Sequence, residues 1–332
     1  EIFFIRKLYP KFNNNIFSSF TSKAIRFPKR NFLFILFLVA GLNTYAQPGA
    51  AWEYSRTITL SSPTLLAAYQ VQVILAAGQY TDMKADGSDL RFYVGATACN
   101  FWVEKWNTSG QSVIWVNVPT SGTSAITMYY GNPAATSSAS PGTAVFDFFD
   151  DFTSLNTAEW AYSGTQSGST FSMNNGGYLS NKIAFPITTP SYYMEAKHNE
   201  GSYYRVRYYA TTSTGNNGTR NGTGTTGVSF DYGYFSSGTN SSTASVYWNG
   251  GLGTNPAVTA GNDYITQWQI TDNGAFKWST MNSDYSPVAS SFPGSVAPTF
   301  RYITIAVTEG MASTSVDWIR VRKSAGLTAS GT

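Results

Sequence analysis

The sequence predicts an all-β protein built as two sandwich-like domains. Three observations carry that reading. Aromatic residues make up 16% of the chain and charged residues only 12%, a balance that suits pleated, half-buried sheets and is too aromatic for disorder. Short runs of alternating apolar and polar residues recur between clusters of Gly, Asn, Ser and Pro, as strands joined by turns do. A length of 332 residues accommodates about two domains of roughly 100–200 residues each.

The first element is a targeting segment. Lys29-Arg30 precedes an apolar run from Phe32 to Leu42, followed by Asn43-Thr44-Tyr45-Ala46-Gln47. A basic stretch, a short apolar core and small residues at Thr44 and Ala46 make a cleavable export signal. The run is shorter than the roughly 20 residues a permanent spanning helix needs, so no transmembrane anchor is expected in the mature chain. Residues 1–28 and the initial Glu1 do not fit a compact signal and read as an upstream extension. Residues 1–46 are therefore set apart from the fold.

Residues 48–147 form the first expected domain. Tyr54, Arg56, Ile58 and Leu60 share one parity, with Ser55, Thr57 and Thr59 on the other. Gln70–Leu75 and Leu90–Val94 are the next strands. Phe101–Trp106 and Val113–Val118 form a hairpin across Asn107-Thr108-Ser109-Gly110, and Ala125–Tyr130 ends at Gly131-Asn132-Pro133. Such short strands at this spacing indicate a β-sandwich. Residues 131–143, rich in Ala, Ser, Thr, Pro and Gly, read as a linker.

Five motifs in order carry a resemblance. They are Trp52…Arg56-Thr57-Ile58, Asp86-Gly87-Ser88-Asp89-Leu90-Arg91-Phe92, Phe101–Trp106, Ile114–Pro119 and Tyr129-Tyr130-Gly131-Asn132. Together they resemble an uncharacterised bacterial secreted domain, one of the families named only as domains of unknown function. The resemblance covers about residues 50–147 and implies company with lectin-like sandwiches in surface proteins. It implies no activity.

The second expected domain, 148–323, opens at Phe149-Asp150-Asp151-Phe152 and continues through Leu155–Trp160 and Asn175–Leu179. It has Tyr192–Lys197 at its middle and closes on Val316–Arg322. Its first and last strands resemble the concanavalin-like jelly roll of lectins and of laminarinase- and lichenase-type glucanases. Residues 324–332 have a linker-like composition, which suggests that the chain is truncated there.

Composition narrows the chemistry. Seven of the 21 basic residues and one of the 18 acidic ones precede residue 47, leaving 14 and 17, a net charge of −3. With no basic stripe, nucleic acid is not an expected partner. The lone Cys99 cannot form an intrachain disulfide and reads as a small buried hydrophobe rather than a reactive thiol. A single histidine, His198, argues against histidine-based catalysis or a multi-histidine metal site.

Glucanases of the resembled type need two carboxylates about 5–5.5 Å apart, which a strand supplies as Glu-x-Asp-x-x-Glu. Where that run would fall, the chain reads Gly227-Val228-Ser229-Phe230-Asp231-Tyr232-Gly233-Tyr234, with one carboxylate. Glu195 and Glu200 are too far apart to serve. There is no Gly-x-Ser-x-Gly elbow and no phosphate loop, so no catalytic residue is assigned.

Sugar binding asks for less: aromatic faces for the sugar ring and polar side chains for its hydroxyls. In Tyr203–Tyr209, alternation puts Tyr203, Arg205, Arg207 and Tyr209 on one face and Tyr204, Val206 and Tyr208 on the other. The first set suits a solvent-facing glycan site, joined by Tyr232 and Trp248; Tyr234 and Tyr247 admit the same reading. The competing reading is that these residues make cross-strand aromatic and arginine pairs that stabilise a sheet.

The glucanase resemblance also implies a structural calcium ion, with Asp151, Gly177 and Asp317 at the matching positions. Oxygen donors suit that cation, although Asp317 equally suits a cap or an ion pair. Asp82, Asp86 and Asp89 lack an EF-hand pattern and read as a polar turn. The expectation is a non-catalytic carbohydrate-binding or adhesion module, secreted or on the outer cell surface, whose partner is an extracellular glycan or cell-surface polysaccharide. Its competitors are a structural spacer pair in a larger surface protein and a glycoside hydrolase with an unrecognised site.

Overall fold

The computed structural model describes residues 49, 51–61, 64, 66–189, 191–200, 206–211, 227–232, 244–248, 251–252, 259, 261–271, 275–295, 300–307 and 313–324. The export segment 29–47 lies outside the described residues. Among the described residues no helix is long and apolar enough to cross a membrane. Gln47–Thr332 forms one compact unit.

Seven strands come first: β1 (Tyr54–Thr59), β2 (Tyr69–Leu75), β3 (Arg91–Val94), β4 (Thr97–Ala98), β5 (Phe101–Lys105), β6 (Ser112–Val118) and β7 (Ala125–Tyr130). They pair as two sheets, β1-β7-β3-β4 and β2-β6-β5. The alternation of β1 places Tyr54, Arg56 and Ile58 opposite Tyr130, Met128 and Ile126, leaving Ser55, Thr57 and Thr59 exposed. Leu90, Phe92, Cys99, Phe101, Ile114, Val116, Ile126 and Met128 fill the space between the two sheets. The acidic turn is structural: Asp89 is fully buried and accepts from the backbone N–H groups of Lys84 and Gly131.

After Tyr130 the chain is strapped to this sandwich. Lys84 and Arg91 donate to the carbonyls of Ala135 and Thr136, and the Ser140 N–H donates to Phe101. A 3-10 turn, Gly142–Ala144, follows.

The second set is β8 (Phe148–Asp150), β9 (Trp160–Ser163), β10 (Thr165–Ser167), β11 (Thr170–Asn174), β12 (Tyr178–Asn181), β13 (Tyr192–Glu200), β14 (Val206–Thr211) and β15 (Gly227–Tyr232). It continues with β16 (Ala244–Trp248), β17 (Gly251–Leu252), β18 (Asp263–Ile270), β19 (Ala275–Asn282), β20 (Pro287–Ser295), β21 (Tyr302–Val307) and β22 (Ser313–Lys323). One sheet has the order β10-β11-β22-β13-β18-β19-β20 with β8 also on β22, and the other β17-β16-β15-β14-β21-β12-β9. All pairings are antiparallel. Trp160, Phe171, Met194, Tyr208, Trp268, Trp278, Ile305 and Ile319 join the two layers in one core. Among the described residues the fold is thus all-β: two sandwiches of antiparallel sheets, the second a jelly roll.

His198 belongs to this core. Its ring lies 4.3 Å from that of Tyr208, and its Nε2 is 2.9 Å from the Thr266 hydroxyl. That is a packing role, as a lone strand histidine predicts.

The two sandwiches meet through the outer faces of the three-stranded and eight-stranded sheets. Val113 and Trp115 of β6, Val145 and Phe146 of the connection, and Phe149, Ile265 and Trp318 of the jelly roll make a third apolar cluster. β6 is consequently buried on both faces, with only Asn117 partly open. Gln70 crosses the joint twice, donating to the Val145 carbonyl and accepting from the Lys323 N–H.

Candidate functional site

The described residues proposed from sequence for a glycan face lie on strands of the seven-stranded sheet, and register sorts them by row. In β14 the core side is Val206, Tyr208 and Ala210, each fully buried, so Arg207, Tyr209 and Thr211 hold the opposite parity. Following the pairings sideways, one outward row reads Leu252, Tyr247, Ser229, Tyr209, Thr304, Ser180 and Ala161. The next outward row places Arg207 between Asp231 and Ala306. The row is polar at its middle, where the Ser180 and Thr304 hydroxyls stand 2.7 Å apart.

Register sorts the named residues by row. Tyr232 pairs with Val206, and Trp248 keeps the parity of Val246, which pairs with Phe230 opposite Tyr208. Tyr209 keeps its outward parity but is only 6% exposed. It lies on an interior strand flanked by Ser229 and Thr304, and Thr304 is itself buried, so this point of the face is enclosed. Arg207 pairs with Asp231 and Ala306. Tyr203 and Arg205 lie outside the described residues. Sequence alternation within one strand could not supply Ser229, Thr304 or Ser180, which join the row only through pairing across the sheet.

The three positions suggested for calcium each have a partner within the protein. Asp317 occupies a bulge where β13 and β22 slip by one residue, and its carboxylate pairs with Lys197 Nζ at 2.9 Å. Asp151 turns back to accept from the Thr153 N–H and hydroxyl. The Gly177 carbonyl accepts from the Val307 N–H at 2.9 Å. Each group is thus engaged by its own protein donor. Among the described residues no three His, Cys, Asp or Glu side chains gather into a metal site.

The strongest electrostatics lie at the joint. Glu195, fully buried on β13, accepts from Arg320 Nε at 2.5 Å, from Arg322 Nη2 at 2.9 Å and from Gln267 Nε2 at 2.5 Å. Burial alone would raise its carboxyl, but the two guanidiniums override that and hold it at about 2. A carboxylate pinned as an anion is a poor general acid.

Glu104 sits in a bulge of β5, unpaired between Val103 and Lys105, and the bulge aims it out of the first sandwich. It accepts from Trp115 Nε1 at 2.8 Å, Tyr285 at 2.5 Å and Arg320 Nη1 at 3.0 Å. The Arg320 guanidinium lies 4.2 Å from the Trp115 ring and 4.1 Å from that of Trp318. Two glutamates and two arginines make this quartet charge-neutral. Sequence reasoning missed it, although Trp318-Ile319-Arg320-Val321-Arg322 put two arginines on one parity and so called for carboxylates opposite.

Comparison with known proteins finds a family model that matches part of the chain and several solved structures of low similarity. A family model described as a domain of unknown function (DUF2341) matches residues 86–163, from the turn before β3 into β9. No curated protein matches the chain. The VIP36 exoplasmic/lumenal domain in its Ca2+/Man2-bound form is similar at 10% identity and a TM-score of 0.42, over 56% of this chain and 90% of that one. The Emp47p carbohydrate recognition domain is similar at 13% identity and a TM-score of 0.40, over 54% and 96%. A carbohydrate esterase from Shiga toxin-encoding bacteriophage phi24B is similar at 9% identity and a TM-score of 0.37, over 54% and 99%.

Proposed function

We propose that this chain is a non-catalytic carbohydrate-binding or adhesion module that works outside the cell, and that it holds glycan on the outward face of the seven-stranded sheet. The observation that carries this reading is the unequal use of the jelly roll's two outer faces. The eight-stranded face is taken up by the first sandwich through Trp318, Arg320 and Arg322. The seven-stranded face carries hydroxyl, aromatic and charged positions in register: Tyr247, Ser229 and Tyr209 in one row, Arg207 and Asp231 in the next. Hydroxyl groups both donate and accept, as sugar hydroxyls do, and a few placed polar groups among aromatic ones are what a small-ligand site needs. Tyr209, Thr304 and Ser180 form the enclosed floor, and the Arg207–Asp231 and Ser229–Tyr247 positions are the contact region.

The extracellular setting rests on the export-signal pattern of residues 29–47. The non-catalytic reading rests on carboxylate chemistry: β15 supplies only Asp231, and Glu195 is held as an anion between arginines. The test is a screen of the secreted chain against immobilised polysaccharides, with reducing-sugar release assayed in parallel. Retention on a glycan without sugar release is expected. Release of sugar would replace the binding module with a hydrolase, and retention on no glycan would leave the spacer reading.

A further inference from the structure

The joint between the two sandwiches is built more like an interior than like a contact between beads on a string. We propose that the first sandwich is a docking module whose partner is the outer face of the jelly roll's eight-stranded sheet. The two unfold as one cooperative unit, locked where Glu104 and Tyr285 close on Arg320.

Four observations carry this. The outward side of β6, with Val113 and Trp115 at 1% and 3% exposure, would be an apolar sheet face in water if the first sandwich stood alone. Here it packs against Ile265 and Trp318. Interfaces between independent domains of one chain are more polar than this.

Second, the buried charges balance only across the joint: Arg320 and Arg322 share the single carboxylate of Glu195 on their own side. The Glu104 carboxylate is 5% exposed and its cation is Arg320 of the jelly roll. The wholly buried Arg320 takes one of its two flanking indoles, Trp115, from the first sandwich. A buried charge stripped of its partner is strongly destabilising, so separation would penalise both halves.

Third, the β19–β20 turn adopts a strained backbone to reach the joint. Tyr285 has φ +68, a left-handed conformation unfavourable for a bulky side chain and kept only where its surroundings over-determine it. Its phenol donates to Glu104 and accepts from Arg320 Nη2 at 2.7 Å. Beside it, Gln111 of the first sandwich donates to the Asp284 carbonyl.

Fourth, the family match over residues 86–163 does not stop at the connection. It includes Trp102, Glu104, Trp115, Phe146 and Phe149 and runs on through β8 into β9. The sequence signature therefore spans the joint and part of the docking partner.

The test is differential scanning calorimetry of the full chain and of the variants Glu104→Gln and Tyr285→Phe. A single transition is expected, with equal calorimetric and van't Hoff enthalpies. Glu104→Gln should move the whole transition down by roughly 5–10 °C, and Tyr285→Phe should move it down by less, again without splitting it. Should Glu104→Gln fail to fold, Tyr285→Phe carries the same decision. Two resolved transitions in the unmodified chain, or a Tyr285→Phe midpoint equal to that of the unmodified chain, would overturn the proposal. The outcome is independent of glycan binding, because it reads only the coupling between the sandwiches.

Discussion

Arg320 has all three of its nitrogens engaged, by Glu195, Glu104 and Tyr285, and two indoles packed against its guanidinium. A guanidinium suits this place because it is planar and more weakly hydrated than an ammonium. Replacing Glu195 with Gln would leave that cation short of an anion in a dry site, at a cost of about 3–5 kcal/mol, measurable from urea unfolding midpoints. The pH dependence has a defined sign. The Glu195 carboxyl is at about 2 in the fold against 4.5 when free, so its contribution is complete above about 4.5 and is lost as pH falls toward 2. Unfolding midpoints should decline across that window in the unmodified chain and decline less in Glu195→Gln. Cys99 offers a simpler check. Burial among apolar side chains raises its thiol to about 11, so it should resist thiol reagents at pH 7.5 in the folded chain and react fully in denaturant.

At the scale of elements, the turn after β7 shows why a short motif can be rigid. Gly131 has φ +84, and a Cβ there would come within 2.4 Å of the Tyr54 ring. Its N–H is held by the buried Asp89 carboxylate at 2.7 Å. Gly131→Ala should lower stability by about 1–3 kcal/mol in urea denaturation. Gly122→Ala, at φ +75 with no atom within 4 Å of the added Cβ, should cost less. Strands such as β5, β6 and β7 were legible in the sequence to within a residue or two, because alternation and turn residues mark them locally. The bulges were not: Glu104 and Asp317 leave the regular period, and a bulge is set by the partner strand. The outward row from Tyr247 to Ser180 was hidden for a related reason. Its members come from β16, β15, β14, β21 and β12, far apart in the chain, and only register joins them.

For the molecule as a whole, the two outer faces of the jelly roll have different fates. One is spent on the first sandwich, whose central strand β6 is buried on both faces as a result. The other, the seven-stranded face, is where the glycan-binding account stands. That division fixes the first sandwich behind the sheet opposite the proposed site, so changes at the joint should alter stability more than affinity. The measurement that bears most directly on the account is calorimetric titration of a polysaccharide fragment retained in the screen into the full chain and into Arg207→Ala and Tyr247→Ala. Both positions lie on the outward parity of the seven-stranded sheet. The account predicts at least a tenfold weaker Kd for each variant, about 1.4 kcal/mol, with an unchanged unfolding midpoint. Affinities equal to that of the unmodified chain in both variants would contradict it and move the site to another face.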